Sequence, residues 1–269
     1  MQVLVDRFVP GLSQASYRFG DAASGFVFRG DSRDLPSAFS IGDETIDIVD
    51  DLAGFTGLPH EVVRANVTTH KHISFRSEWF ATPKEMRLDR WFYLSSKAYL
   101  FSNASHFDES DPSICLIKEW APEGSLVWDF GAGAGQLTMR LLALGYRVAA
   151  SELNVLQLEF LRYRARAHSP ATDPLRILHA DDPDHPKECA AVVAMDVLEH
   201  LAEPRAVLEE VILPSLKVGG VLIEDSPFVR NTSNPMHHTD FGLQALMEEH
   251  RFRVVADGGG LLRVWRQAP

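Results

Sequence analysis

From residue 113 onward, short runs rich in β-branched and apolar residues alternate with segments whose apolar positions recur at helical spacing. Leu126–Phe130, Arg147–Ser151, Leu175–Leu178, Ala190–Ala194 and Val221–Glu224 read as strands, whereas Gln136–Leu144, 154–167, Pro204–Leu213 and about 240–250 read as helices. Two final strands, Arg253–Ala256 and Leu261–Trp265, are separated only by residues around Gly258-Gly259-Gly260. A parallel crossover needs a dozen residues or more, so these two must pair antiparallel. The rest of the rhythm predicts an open parallel sheet covered on both faces. Residues 183–189 are too few for a helix between the third and fourth strands. About seven residues reach at most roughly 25 Å, so this crossing is expected as a loop.

The front of the chain differs in kind. Of the 26 aromatic residues, 16 fall in residues 1–112. Tyr17 and Phe19, then Phe26 and Phe28, alternate around a turn at 20–25 and predict a hairpin. Short helices are expected over 45–53 and 60–67, with Gly54 and Gly57-Leu58-Pro59 as stop and restart. Thr82-Pro83-Lys84-Glu85 has the spacing of a capping box. Leu88, Trp91, Phe92, Ser95, Ala98, Tyr99 and Ser102 then repeat with helical period, predicting one helix over about 83–104. Asp111-Pro112 punctuates the chain. The expected division is a cap or substrate-binding region at 1–112 and a core domain at 113–269.

Composition removes several classes. At 45% hydrophobic and 23% charged residues, the chain is not a disordered one. Its formal net charge is −11. Residues 1–112 carry 11 basic against 16 acidic groups and residues 113–269 carry 15 against 21, so neither half is cationic. A nucleic-acid partner is therefore not expected. Arg162, Arg164 and Arg166 lie at i and i+2, which do not share a helical face, and read as a solvated surface. The apolar run Ala190–Met195 falls far short of the about 20 residues of a membrane span. Met1–Leu12 contains Asp6, Arg7 and Pro10 and lacks an apolar stretch, so no signal peptide is expected. Cys115 and Cys189 offer neither a disulfide framework nor a zinc set, and a cytoplasmic setting follows as the default.

The candidate chemistry begins at Asp129-Phe130-Gly131-Ala132-Gly133-Ala134-Gly135, between a strand and a helix. Glycines let a backbone turn sharply and approach a ligand, and a helix start offers unpaired N–H groups. A dinucleotide site needs a third small residue at the position that Gln136 occupies, so that reading fails in register. A phosphate-binding P-loop fails too, because no Lys-Ser/Thr follows.

The remaining pattern, acid-x-Gly-x-Gly-x-Gly, closely resembles the class I S-adenosylmethionine-dependent methyltransferases, and the resemblance covers about 113–269. Glu152 ends the second strand, 21 residues after Gly131, where such enzymes place an acid for the ribose hydroxyls. Asp181, with Asp182 as the adjacent alternative, matches the acid that usually holds the adenine amino group. Ala194-Met195-Asp196-Val197-Leu198-Glu199-His200-Leu201 and Lys217-Val218-Gly219-Gly220 look like the "LEH" and "K-x-G-G" blocks of enzymes acting on quinone precursors and diverse small metabolites. The resemblance implies an α/β, Rossmann-like seven-stranded methyltransferase sheet with a terminal antiparallel hairpin and an N-terminal, mostly helical cap. It implies S-adenosylmethionine held by Asp129, Gly131, Gly133, Gly135, Glu152, Asp181, Asp182 and the backbone near Met195. It implies a small-molecule acceptor, with Tyr99 of the cap and His237 and His238 of Pro235–Phe241 as acceptor-binding residues. An RNA or tRNA methyltransferase and a non-catalytic binding module are the alternatives.

Three roles are open to His200. It can hydrogen-bond a neighbouring strand and orient its loop. An imidazole, titrating near about 6.5, can instead take an acceptor's proton, with His106, His237 and His238 as further candidates. Asp196, Glu199 and His200, at i, i+3 and i+4, would share a face if helical. The matching acid-x-x-Glu-His run in quinone-precursor and small-RNA methyltransferases is associated with a divalent cation, for which oxygen-rich ligands favour magnesium or manganese. Since "LEH" also occurs in many relatives without metal, no metal is the primary expectation. His60, His70 and His72 are read as surface or core-edge residues.

Overall fold

The computed structural model describes residues 39–41, 44–68, 71–87, 90–105, 112–168, 174–230 and 237–268. The aromatic hairpin expected over 17–28 lies outside these residues, as does His106. In the front region, β1 (Phe39–Ile41) and β2 (Glu44–Ile46) pair antiparallel and lead into α1 (Ile48–Thr56), α2 (His60–Val67), α3 (Lys71–Ala81), α4 (Arg90–Ser95) and α5 (Tyr99–Ser102). After α6 (Pro112–Trp120) come β3 (Leu126–Phe130), α7 (Gln136–Ala143), β4 (Arg147–Glu152), α8 (Val155–His168), β5 (Leu175–His179) and β6 (Cys189–Met195). The remainder is α9 (Pro204–Val207), β7 (Leu216–Asp225), α10 (Leu243–Glu249), β8 (Phe252–Gly259) and β9 (Leu262–Gln267).

Seven strands form one sheet in the order β5-β4-β3-β6-β7-β9-β8. Pairing is parallel from β5 to β7, and β9 is antiparallel to both β7 and β8. Side chains alternate across a strand, so adjacent residues serve opposite faces. Val127, Ala191, Val193, Val221 and Ile223 pack with α6 and α7 on one face. Trp128, Val192, Ala194 and Leu222 pack with Leu243, Leu246 and Met247 of α10 on the other. Both faces are covered, which is why β3 and β6 carry so few polar residues. The crossing from β5 to β6 has no helix, as its length required. It passes two intervening strands, about 14 Å at the usual spacing, within reach of residues 180–188.

The single helix expected over 83–104 is not formed. Thr82 does not cap a following helix; its hydroxyl donates to the Glu78 carbonyl at 2.9 Å, closing α3, a helix that the periodicity did not reveal. The Glu78 carboxylate then accepts from the Ser96 hydroxyl at 2.6 Å and from the Lys97 and Ala98 amides at 2.9 and 3.0 Å. Those amides would otherwise pair inside a continuous helix, so this distant acid breaks the run at Ser96.

Arg164 also departs from expectation. Rather than facing solvent, it is fully buried where α8 meets α1. Its Nε donates to Asp51 at 2.8 Å and its NH1 to the Ala134 carbonyl at 3.0 Å, while His168 Nε2 lies 2.6 Å from the other Asp51 oxygen. The front region is thereby tied to the glycine-rich turn. Asp51→Ala strands a buried guanidinium and is expected to cost about 3–5 kcal/mol. Urea denaturation checks this, and a loss under about 1 kcal/mol would mean that the charge is solvated. None of the described helices is long and apolar enough to cross a membrane.

Candidate active site

The sheet reverses its winding between β3 and β6, and open α/β sheets bind ligands at the strand ends beside such a switch point. There the Gly131 and Ala132 amides both donate to the Ser151 carbonyl at 2.9 Å, folding the turn onto the end of β4. Gly131 has φ +80°, and a Cβ on it would stand 2.4 Å from Val197 Cγ2. Gly135, at φ +76°, would likewise place a Cβ 2.4 Å from Leu161 Cδ1. Both positions exclude side chains by backbone conformation and by space.

Glu152 is held from below. Its Oε2 accepts from the Gly133 amide at 2.8 Å, and its Oε1 from the Leu153 and Asn154 amides at 2.7 and 2.8 Å. Burial pushes its pKa up, and these amides oppose the shift. Asp129 behaves differently. It is buried, takes the Thr138 hydroxyl at 2.5 Å, and burial pushes it to about 7. It braces the start of α7 behind the turn.

These elements enclose a cavity of about 400 Å³. Gly131, Glu152, Asp181, His185, Asp196, Val197 and His200 line it. Arg90, Tyr93, Tyr99 and Asn103 of the front region line it as well. Of the expected cofactor residues, Gly131, Glu152 and Asp181 therefore line the cavity. Asp129, Gly133, Gly135, Asp182 and Met195 are not among its lining residues; Gly133 acts through its amide on Glu152. Tyr99, expected as an acceptor contact, is among the cavity's lining residues. Arg90, which no sequence pattern marked, forms an ion pair with Asp181, another of the lining residues.

His200 lies in a 3₁₀ turn, Leu198–His200, rather than a helix, and Asp196 precedes it at φ +52°. The helical face assumed for Asp196, Glu199 and His200 is therefore absent. Instead, donor atoms of Glu199, His200 and His237 lie within 4.8 Å of one another. The His200 and His237 rings meet edge to face at 4.8 Å, and His237 Nδ1 lies 2.7 Å from the Pro227 carbonyl. Glu199 is fully buried, and among the described residues neither of its oxygens has a hydrogen-bond partner; His200 Nε2 is 3.8 Å from Oε1. Burial, with Asp196, Asp225 and Glu224 nearby, pushes its pKa to about 9 against some relief from its own main-chain amide. His238 contributes its amide, which donates to the Glu199 carbonyl at 2.7 Å, and is not among the residues lining the cavity. His60 is exposed beside Asp50.

A glycine turn at the switch point, an amide-held acid on the next strand and an acid beyond the third thus stand together where doubly wound sheets bind ligands. Residues 128–222 match the family model described as a methyltransferase domain. Over these residues, about a third of the chain, it is similar to methyltransferase domains. Among solved structures it is similar to the [4+2]-cyclase SpnF, at 19% identity and TM-score 0.47 over 58% of this chain and 61% of that one. It is also similar to a TehB-like S-adenosylmethionine-dependent methyltransferase from Corynebacterium glutamicum, at 18% identity and TM-score 0.47, covering 60% and 90% of the two chains. A methyltransferase from Methanosarcina mazei aligns at 14% identity and TM-score 0.45, over 56% and 96%. No curated protein matches the chain.

Proposed function

We propose that the chain methylates a small, apolar or aromatic metabolite, with the front region serving as the lid of the acceptor site. The observation that carries this reading is the composition of the cavity wall. Tyr93 and Tyr99 from the front region line it together with Val197, Leu201, Val207 and Val211, and beyond Glu152 and Asp181 the charged residues of the lining are Arg90, Asp196 and Glu203. The cofactor fits the residues present: the Gly131 turn leaves room for close approach, and Glu152 and Asp181 offer acceptors for hydroxyl and amino groups. When bound, S-adenosylmethionine supplies an already activated methyl group. The chain's own part is to position the acceptor, exclude water and, where the acceptor carries a proton, remove it at His200. Purified protein is expected to release S-adenosylhomocysteine with phenols or prenyl compounds and not with RNA. Release with RNA alone would replace this reading by the nucleic-acid one.

A second reading of the same residues has its own support. A buried carboxyl without a hydrogen-bond partner, set beside two imidazoles, suits a divalent cation held by Glu199, His200 and His237. A cation there would polarise an acceptor hydroxyl. The folded protein without metal keeps the Glu199 proton to about pH 9, whereas an unfolded glutamate releases it near 4.5. Stability without metal should thus fall as pH rises between those values, and Glu199→Gln should flatten the slope. Manganese or magnesium, if bound, should raise the melting temperature at pH 8 in wild type and not in Glu199→Gln. Equal melting curves with chelator and with metal would remove the cation.

A further inference from the structure

The Tyr93 hydroxyl lies 2.9 Å from His200 Nδ1, with the two rings 5.2 Å apart. Tyr93 comes from α4 in the front region, 107 residues away in sequence. We propose that Tyr93 is a positioning residue for His200: its hydroxyl accepts the Nδ1–H, which leaves the lone pair on Nε2, the ring atom that looks toward Glu199. The inference rests on the reading of His200 as the group that takes a proton or a cation, since either task needs a lone pair. Nδ1 is already engaged by Tyr93, so Nε2 must supply it. In a neutral imidazole one nitrogen carries the proton and the other is the acceptor, and the bond made by the first decides which.

Tyr93 and Tyr99 are also hydrogen-bonded through their side chains, so the Tyr93 phenol stands between Tyr99 and the imidazole. Around the imidazole, Tyr93 faces it from α4, Glu199 from its own turn, and His237 from the segment before α10.

Tyr93 is itself held from the cofactor side. Asn154 Nδ2 donates to the Tyr93 and Ser96 carbonyls, each at 2.7 Å. Its Oδ1 caps α8 by accepting from the Leu156 and Gln157 amides at 3.0 and 3.1 Å. Its own amide donates to Glu152. A short bonded path therefore runs from the cofactor acid through Asn154 and Tyr93 to His200. It makes the front region part of the reacting centre as well as its lid.

The test is ¹⁵N NMR of histidine-labelled full-length protein with chelator present, the His200 signals being assigned with His200→Gln. Wild type should show the Nδ1–H tautomer. Tyr93→Phe, which keeps the ring and removes the oxygen, should shift the population toward Nε2–H. With an acceptor in hand, the same variant should lose about 10–100-fold in kcat while KM for S-adenosylmethionine stays within about twofold. An Nε2–H tautomer in wild type, or an unchanged one in Tyr93→Phe, overturns the proposal, and the wild-type spectrum decides even if the variant does not fold. The expected tautomers without methylation of any acceptor would instead defeat the function reading and leave the positioning role standing.

Discussion

Glu152→Ala is expected to weaken S-adenosylmethionine binding by on the order of 10²-fold or more. The carboxylate has two tasks in one place. It collects the amides of Gly133, Leu153 and Asn154, each within 2.8 Å, and it presents what remains of its acceptor capacity to the cavity. Alanine removes the acceptor for the cofactor and leaves three amides without a partner, so the glycine turn loses its brace as well. Glu152→Gln retains one carbonyl oxygen and should fall between the two. Titration calorimetry checks the order wild type, Gln, Ala. An alanine variant that binds within about threefold of wild type would place the cofactor elsewhere.

His200→Ala is expected to lower kcat by about 10²–10⁴ with cofactor affinity nearly unchanged. The residue lines the cavity on the β6 side, whereas the Glu152 cradle belongs to β3 and β4, so the two effects should separate. Loss of affinity alongside rate would mean that His200 organises the whole site, and parallel loss of melting temperature would make it structural. His237 separates the readings further. If it shares a cation with His200, His237→Ala should abolish any metal dependence of melting; if His200 works as a base, the variant should leave that behaviour unaltered.

What could be read from the sequence follows the range of the forces involved. The strand at Leu126–Phe130, the turn at Gly131 and the acid at Glu152 are consecutive pieces of local geometry, and all three stand where periodicity and register put them. The terminal hairpin followed from chain length alone. The helix over 83–104 failed because its breaker, Glu78, reaches Ser96, Lys97 and Ala98 from 18 to 20 residues away. Arg164 looked solvated because its partner Asp51 lies 113 residues distant. His237, rather than Asp196, stands with Glu199 and His200 for the same reason. A helical reading of 196–200 also missed the left-handed residue at Asp196, which a right-handed helix does not contain. Residues that complete a site across the fold carry no periodic signature, and only their chemistry (a phenol, an imidazole, a guanidinium) marks them as worth following.

Amide hydrogen exchange with and without S-adenosylhomocysteine tests the central claim most directly, because it locates the cofactor without needing the acceptor. Binding should slow exchange at 131–135, 152–154, 180–182 and 196–201, and in the front region over 90–103 as it closes on the cavity. Protection confined to other segments, or the same protection produced by a nicotinamide dinucleotide while S-adenosylhomocysteine produces none, would contradict it.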